Sequence, residues 1–251
     1  MSGSEPVQAV QRSLALLDAL AERADGGVSE LAGATGLQPG TVHRLLTTLV
    51  AGGYAAHDPR TRRYRLGSRL LTLATAAERD FARVRAAALP AMHALRDTFG
   101  ETTNLVVLDR DSIVYVDQVE SVRPVRMFSR IGNRVPAHAS GAGKALLACE
   151  PSEAVDALVA RGALPALTAN TITIAAVLRT ALAVVRRRGY ALDEGEYDES
   201  VTCAAAAIVL PEGRVPAAIS VSGPTERMRS LRLARVGRAV AQAARDAAAA
   251  V

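Results

Sequence analysis

Residues that could do chemistry are concentrated in the second half of this 251-residue chain. Residues 139–145, with the sequence ASGAGKA, contain the only lysine, Lys144. A phosphate-binding loop GxxxxGK[ST] would need Gly at position 138 and Ser or Thr at position 145, where the chain has His138 and Ala145. The small residues still predict a helix start with free backbone N–H groups, which suit a carboxylate.

Four polar residues further along could complete such a site. Asp193 opens an acidic run at residues 193–199, a pattern that is typical of a solvated loop. Cys203 lies in an apolar segment, where a buried, inert thiol is expected. Ser220 and Ser222 are two apart in a predicted strand, so they share a face and could hydrogen-bond a small polar ligand. Lys144 could add charge to this site or take part in a structural ion pair.

Two enzymatic alternatives use the same residues. Cys203 and His138 could form a catalytic pair, and His138, Asp193 and Cys203 could hold a metal. No acid or oxyanion signature accompanies the pair, and Cys149 and Cys203, the only cysteines, match no zinc spacing. We therefore predict no catalytic activity, no metal and no cofactor, and keep a thiol or metal enzyme as the alternative.

Residues 28–45, VSELAGATGLQPGTVHRL, predict two short helices that meet at a tight turn. Ala32 is small enough for a close helix crossing, and Gly36 can adopt the positive φ that the turn needs. Val42 and Leu45 lie on one face of the second helix and can fix it onto the first. This is the pattern of a helix-turn-helix, whose second helix lies in the DNA major groove.

Residues 54–67 follow the second helix and predict a β-hairpin with a basic tip, which is typical of a wing that meets DNA phosphates or the minor groove. Residues 28–69 contain six arginines against two acidic residues. The side chains expected to contact DNA are Gln38, Thr41, His43, Arg44, Thr47, Arg60, Arg62 and Arg63.

The remaining pattern predicts the elements that position these residues. A first helix at residues 7–24 would bury a stripe of Val10, Leu14, Leu17 and Leu20. Another helix is expected at residues 68–85, with Pro90 as an interruption. From residue 102 the pattern becomes β-rich, with a hairpin around residues 109–112, a short strand at residues 125–131 and later strands separated by helices. The expected fold class is α+β with two domains.

Composition limits the class of protein. The formal net charge of +5 is mildly basic and does not by itself establish nucleic-acid binding. The first residues lack the basic and apolar regions of a signal peptide, and no long uncharged apolar run predicts a membrane span. We therefore expect a cytoplasmic protein.

The combined pattern resembles bacterial transcriptional regulators of the IclR family along nearly the whole chain. The segments that carry the resemblance are GLQPGTVHRLLTTLVAGGY, HDPRTRRYRLG, VPAHASGAGKALLA, RRRGYALDEGE and AISVSGP. The resemblance implies a winged helix-turn-helix at residues 1–69, a dimerising linker helix at residues 70–86 and a GAF-like effector domain at residues 87–251. It also implies an effector site made by Gly141, Ala142, Asp193, Cys203, Ser220 and Ser222.

The resemblance predicts a ligand-responsive regulator that represses a catabolic operon. Its partners would be double-stranded operator DNA, a small organic or aromatic acid, and a second copy of the chain, as a dimer or a dimer of dimers. A DNA-binding scaffold whose second domain binds no ligand is the remaining alternative.

Overall fold

The computed structural model describes residues 6–127, 129–162 and 164–251, without the side chains of residues 78–80. The chain divides into two compact units, Met1–Asp80 and Phe81–Val251. Each unit has its own hydrophobic core. The predicted boundaries of the three segments, 1–69, 70–86 and 87–251, stay predictions.

The first unit contains three helices and a hairpin. Helices α1 (Gln8–Arg23), α2 (Val28–Thr35) and α3 (Pro39–Ala51) precede the antiparallel strands β1 (Ala55–Asp58) and β2 (Arg63–Leu66). Gly36 ends α2 with φ of 67°, the left-handed conformation that the turn requires. The N–H of Gly27 donates to the Glu30 carboxylate at the start of α2.

The predicted buried stripe of α1 is wrong for Val10 and Leu14, whereas Leu20 is buried and Leu17 packs against the core. Val10 and Leu14 are more than half exposed, whereas Leu16, Ala19 and Leu20 are buried. Residues at i, i+3 and i+4 form one helical face, and this face packs against α2 and α3. The periodicity identified the helix correctly, but several apolar residues on one short helix left its inward face ambiguous.

Helix α4 (Arg69–Phe99) continues through Pro90, where the sequence predicted an interruption. A proline inside a helix removes one backbone hydrogen bond and costs about 3 kcal/mol. Ala88, Met92 and Leu95 are buried on either side of it, in the core of the second unit. Burial of these side chains offsets the cost at Pro90.

The second unit is built on one six-stranded sheet in which every strand pair is antiparallel among the described residues. The spatial order is β5-β4-β3-β8-β7-β6. The strands are β3 (Thr102–Asp109), β4 (Ser112–Val119), β5 (Arg134–Pro136), β6 (Ala191–Glu194), β7 (Val201–Ile208) and β8 (Ala217–Pro224).

Helices cover both faces of this sheet, so the predicted α+β class is confirmed. One core contains α5 (Gly141–Leu147), α6 (Ser152–Ala160) and α7 (Ala175–Arg188). The opposite core contains the end of α4, α8 (Thr225–Ser230) and α9 (Leu233–Ala249). Alternate residues of β8 join the two cores, with Ala218 on one side and Ile219 on the other.

The predicted strand at residues 125–131 is wrong for residues 125–127 and 129–131, which form no strand, and Phe128 lies outside the described residues. The edge strand β5 pairs with β4 instead. In the part of the chain that the structure describes, no helix is long and apolar enough to cross a membrane.

Candidate functional site

Strand register brings distant polar residues of the second unit together. Asp193 on β6 is the direct partner of Cys203 on β7, and Cys203 is the direct partner of Ser222 on β8. Ser220 lies two residues before Ser222 and pairs with Asn104 on β3. Because partners across a sheet share a face, these side chains form one polar patch.

A cavity of about 270 Å³ opens over this patch, and we call it the sheet cavity. Its lining combines apolar strand side chains with polar groups from α5, from the residues after β6 and from the strands. The lining residues are Ile113, Tyr115, Arg126, Met127, Val135, Ser140, Ala142, Asp193, Tyr197, Asp198, Ser200, Val201, Cys203, Ser220 and Ser222.

The first turn of α5 approaches the sheet closely because residue 141 is glycine. A Cβ atom at Gly141 would lie 2.6 Å from the Cys203 sulfur, which no larger residue could tolerate without a shift. Ser140 caps the helix, since its hydroxyl accepts the N–H of Gly143 at 2.9 Å. The Gly141 N–H donates to the Cys203 sulfur, yet burial raises the pKa of that thiol far above its usual range. Cys203 is therefore a neutral thiol.

Asp193 is buried at the inner end of the sheet cavity. Its Oδ1 accepts the N–H of Glu196 at 2.7 Å, and its Oδ2 lies 3.9 Å from the Cys203 sulfur. Burial raises the pKa of Asp193 to about 7, which places its titration in the physiological range. The predicted solvated acidic loop is therefore wrong at two positions, because Asp193 and Glu196 are both buried.

Lys144 is not among the residues that line the cavity, and it forms a buried ion pair with Glu196. Of the two possibilities left open by the sequence, the structural ion pair is the one observed. The second carboxylate oxygen of Glu196 is buried without a hydrogen-bond partner. Burial raises the pKa of Glu196, and the Lys144 ammonium opposes this shift.

Two threonines clamp the turn that follows Asp193. The Thr168 hydroxyl donates to the Gly195 carbonyl at 2.6 Å, and the Thr171 hydroxyl donates to the Glu196 carbonyl at 2.6 Å. We call Thr168 and Thr171 the threonine clamp. It holds the backbone N–H groups of residues 195 and 196 against the Asp193 carboxylate, so it fixes the inner end of the cavity.

His138 forms a structural contact. It is fully buried, and its Nε2 lies 3.1 Å from the Pro165 carbonyl oxygen. Burial lowers the pKa of this imidazole. Across the described residues, no group of three or more His, Cys, Asp and Glu side chains is arranged to hold a metal ion.

The structure brings the six predicted effector residues together. Five of them line the sheet cavity, and Gly141 lies beside Cys203 at its wall. Asn104 was missed, although its amide nitrogen lies 3.3 Å from the Ser220 hydroxyl. A polar residue inside an apolar strand was the available signal for Asn104. Tyr115 and Arg126 gave no comparable signal, because only the fold places them at the cavity.

The predicted DNA-contacting residues of the first unit follow one side of α3. Gln38 precedes the helix as its N-cap, His43, Arg44 and Thr47 are exposed, and Thr41 is half-buried. The Thr47 hydroxyl donates to the His43 carbonyl at 2.9 Å, which leaves its methyl group outermost.

The hairpin separates its arginines into two kinds. Arg60 and Arg62 are exposed at the tip, where the Asp58 carboxylate accepts the Arg60 N–H. Arg63 instead forms ion pairs with Asp25 and Glu30 at 2.8 and 2.9 Å. Its guanidinium therefore stabilises the unit internally, which weighs against the predicted DNA contact of Arg63.

Comparison with known proteins identifies the domain family of both units. Residues 9–59 match the IclR helix-turn-helix domain, and residues 78–249 match the bacterial transcriptional regulator IclR C-terminal domain. The chain is 37% identical over 240 residues to the HTH-type transcriptional regulator BhcR of Paracoccus denitrificans, covering 96% of this chain and 86% of the relative. It is also 37% identical over 248 residues to the transcriptional repressor IclR of Escherichia coli, covering 96% and 88%.

Solved structures agree with this assignment. An IclR homologue from Microbacterium hydrocarbonoxydans, complexed with 4-hydroxybenzoate, matches with a TM-score of 0.82 and 26% identity over 97% of this chain and 98% of that one. An IclR transcriptional regulator from Alicyclobacillus acidocaldarius matches with a TM-score of 0.80 and 26% identity over 98% and 99%. The chain therefore belongs to the IclR family of transcriptional regulators, a non-enzymatic family with a helix-turn-helix and an α/β effector domain.

Proposed function

We propose that this regulator represses a catabolic operon and that a small organic or aromatic acid, bound in the sheet cavity, controls its binding to the operator. Three relatives are named as repressors: the transcriptional repressor IclR, the acetate operon repressor and the transcriptional repressor AllR. A fourth relative is complexed with an aromatic acid, 4-hydroxybenzoate.

The polar patch beneath the start of α5 is the observation that carries the proposal for the ligand. A carboxylate at Ala142 would meet the positive end of a helix, and the hydroxyls of Ser220 and Ser222 can donate to it. Ile113 and Val135 supply an apolar wall for a short carbon skeleton or a ring. The volume of about 270 Å³ is at the lower end of ligand pockets, which favours a small acid.

On the DNA side, the proposed contacts are those of α3 and the hairpin tip. Thr41, His43 and Arg44 would read base edges in the major groove, and Arg60 and Arg62 would contact phosphates. The effector would shift the population between conformations with high and low DNA affinity, because it binds one of them more tightly.

A homodimer, or a dimer of dimers, is the proposed assembly. Leu71 and Leu73 on α4 are 72% and 42% exposed, and a second copy of the helix would cover them. Light scattering on the full chain should give at least twice the mass of one chain, and Leu71→Glu should lower it. A monomeric wild-type protein would refute the assembly without affecting the proposed ligand.

A thermal-shift panel tests the ligand. We would heat the full chain with 4-hydroxybenzoate, benzoate and a series of short aliphatic mono- and dicarboxylic acids, using the corresponding amides as uncharged controls. A ligand present at about 100 times its Kd stabilises the folded state by about 2.7 kcal/mol, so the effector should raise the melting temperature. Its amide should have no such effect, because the carboxylate is what the start of α5 recognises.

The same acid should then change the affinity of the protein for operator DNA enriched from random sequence. An acid that stabilises the protein and leaves DNA binding unchanged would refute the proposed control. Absence of stabilisation by every acid of the panel would favour the scaffold alternative, in which the second unit has no ligand.

A further inference from the structure

Helices α1 and α3 enclose a hollow of about 300 Å³ on the first unit. We call it the α1–α3 hollow. Its lining residues are Gln8, Ala9, Arg12, Thr41, Arg44, Leu45 and Thr48. Thr41, Arg44 and Thr48 are spaced at i, i+3 and i+7, so they form one row along α3, and two of them belong to the predicted DNA contacts.

The charge of the α1–α3 hollow is entirely positive. Arg12 and Arg44 are the only charged residues that line it, and neither forms an ion pair among the described residues. Arg63 of the same unit has two carboxylate partners, so acidic groups are available to arginines elsewhere in the unit. Two unpaired guanidinium groups beside one hollow favour an anion with several acceptor oxygens.

The position of the hollow identifies this anion. When α3 lies in the major groove, side chains that leave the groove along its flank meet the sugar-phosphate backbone. Arg44 can then contact the groove while Arg12, on the neighbouring helix, reaches the phosphate strand beside it. The hydroxyl of Thr48 donates to the Arg44 carbonyl at 3.2 Å, so its proton is not available to the anion.

We propose that Arg12 on α1 is a DNA-binding residue, which holds one backbone phosphate at the α1–α3 hollow while Arg44 beside it reaches the base edges. This inference rests on the proposed binding of DNA by α3 and adds a second helix to the interface. Because a phosphate contact is independent of sequence, Arg12 would contribute affinity and salt dependence without base discrimination.

A duplex of mixed sequence labelled with fluorescein is sufficient to test Arg12, and its binding to the full chain is followed by anisotropy at several salt concentrations. Arg12→Gln should weaken binding about tenfold and lower the slope of log K against log salt by about one. Arg12→Lys keeps the charge without the planar fork, so it should keep the slope and lose only part of the affinity.

Arg23→Gln is the matched control, because it removes the same charge from the other end of α1, where Arg23 lies near Glu30. It should change affinity less than about twofold, as expected for a charge that contacts no phosphate. An equal loss in Arg23→Gln and Arg12→Gln would overturn the proposal, because the effect would then be one of total charge. Unchanged melting temperatures verify that each variant is folded.

The outcomes separate this inference from the proposed function. A wild-type protein that does not bind the duplex refutes DNA binding by α3 itself. A wild-type protein that binds, together with an Arg12→Gln variant of equal affinity and slope, refutes only the role of Arg12. If inorganic phosphate instead raises the melting temperature through Arg12 while DNA binding is unaffected by Arg12→Gln, the hollow binds a free anion and the proposal is wrong.

Discussion

The recognition side of α3 and the sheet cavity differ in whether their charged side chains are exposed or buried. Arg44 and His43 are exposed, and Arg44 has no carboxylate partner among the described residues. At the cavity, Asp193 and the Lys144–Glu196 pair are buried, and burial raises the pKa of both the Asp193 and the Glu196 carboxyl. The first surface suits a large, charged partner that supplies its own counter-charges, and the second suits a small ligand that must fit fixed groups.

The two regions also differ in how the chain assembles them. The α3 residues lie within ten positions of one another on one helix, so helical periodicity alone orients them. Cavity residues come from positions as far apart as Ile113 and Ser222, and only strand pairing brings them together. Substitutions on α3 should therefore act on one contact each, whereas those at the cavity floor should affect neighbouring strands.

Arg44→Ala should give the largest loss of DNA binding with the second unit intact. Loss of a bidentate base contact costs about 1–3 kcal/mol, or up to about a hundredfold in affinity, and relaxes base preference at that position. The measurement is a gel shift with an operator duplex enriched from random DNA by the wild-type protein. Arg63→Ala is the comparison, since Arg63 is held by Asp25 and Glu30 and should affect stability more than base preference. Undiminished affinity of Arg44→Ala would contradict the assignment of α3.

The double variant Asp193→Ala, Ser220→Ala should weaken binding of the acid and leave DNA binding intact. It removes two polar groups of the sheet cavity and should weaken binding of the acid identified by the thermal-shift panel more than about tenfold, because each hydrogen bond to a charged group contributes about 1.5–3 kcal/mol. DNA affinity without the acid should stay at the wild-type level. A normal response to the acid in this variant would reject the sheet cavity as the effector site.

Asp193 should also make folding stability depend on pH. In the folded protein its pKa is about 7, against 3.8 for an exposed aspartate. Between these values the unfolded chain has lost a proton that the folded chain keeps, so stability falls as pH rises and levels off above about 7. Asp193→Asn lacks this dependence, and its stability relative to wild type should increase by on the order of 1–3 kcal/mol from about pH 5 to about pH 8.

Denaturant unfolding at both pH values measures this difference. Asp156→Asn, at an exposed position on α6, should show a constant difference from wild type over the same range. If Asp193→Asn behaves like Asp156→Asn, the carboxyl of Asp193 does not carry a raised pKa, and a charged aspartate lies in the cavity.

Of the four predictions in this comparison, loss of the threonine clamp should have the smallest effect. Thr171→Val keeps the shape of the side chain and removes the hydroxyl that donates to the Glu196 carbonyl. Affinity for the acid should fall a few-fold, at about 1 kcal/mol per lost hydrogen bond, while DNA affinity is unchanged. Thr180→Val on α7, whose hydroxyl donates only to the helix backbone, is the matched control. Equal effects of both variants on ligand affinity would mean that the clamp does not position Asp193.

The sequence predicted local features better than long-range ones. Gly36 and the α2–α3 spacing predicted the helix-turn-helix, because few residue types other than glycine readily adopt the positive φ that this turn requires. The predicted inward face of α1 was wrong at Val10 and Leu14, which are apolar but exposed, because only contacts with α2 and α3 decide which apolar residues are buried. Continuation of α4 through Pro90 depends on burial against the sheet, which local propensity does not contain.

For the cavity, the family resemblance supplied the six residues and the register explains why they meet. Cys203 and Ser222 are cross-strand partners, a relation that neither residue type nor spacing reveals. Arg126 and Tyr115 were missed because both lie in segments that were predicted to be ordinary strands. Arg63 was predicted to contact DNA because it is basic, and its ion pairs could not be predicted because the carboxylates lie 38 and 33 positions earlier.

Lys144 is the only lysine of the chain, and its ammonium is buried against Glu196. Every other strongly basic side chain is an arginine, which stays protonated throughout the pH range of folded proteins. Reagents that acylate side-chain amines therefore have one target, and they reach it only when the region around α5 opens. The acylation rate of Lys144 thus reports the local opening equilibrium of the ligand-binding unit, with no label introduced into the protein.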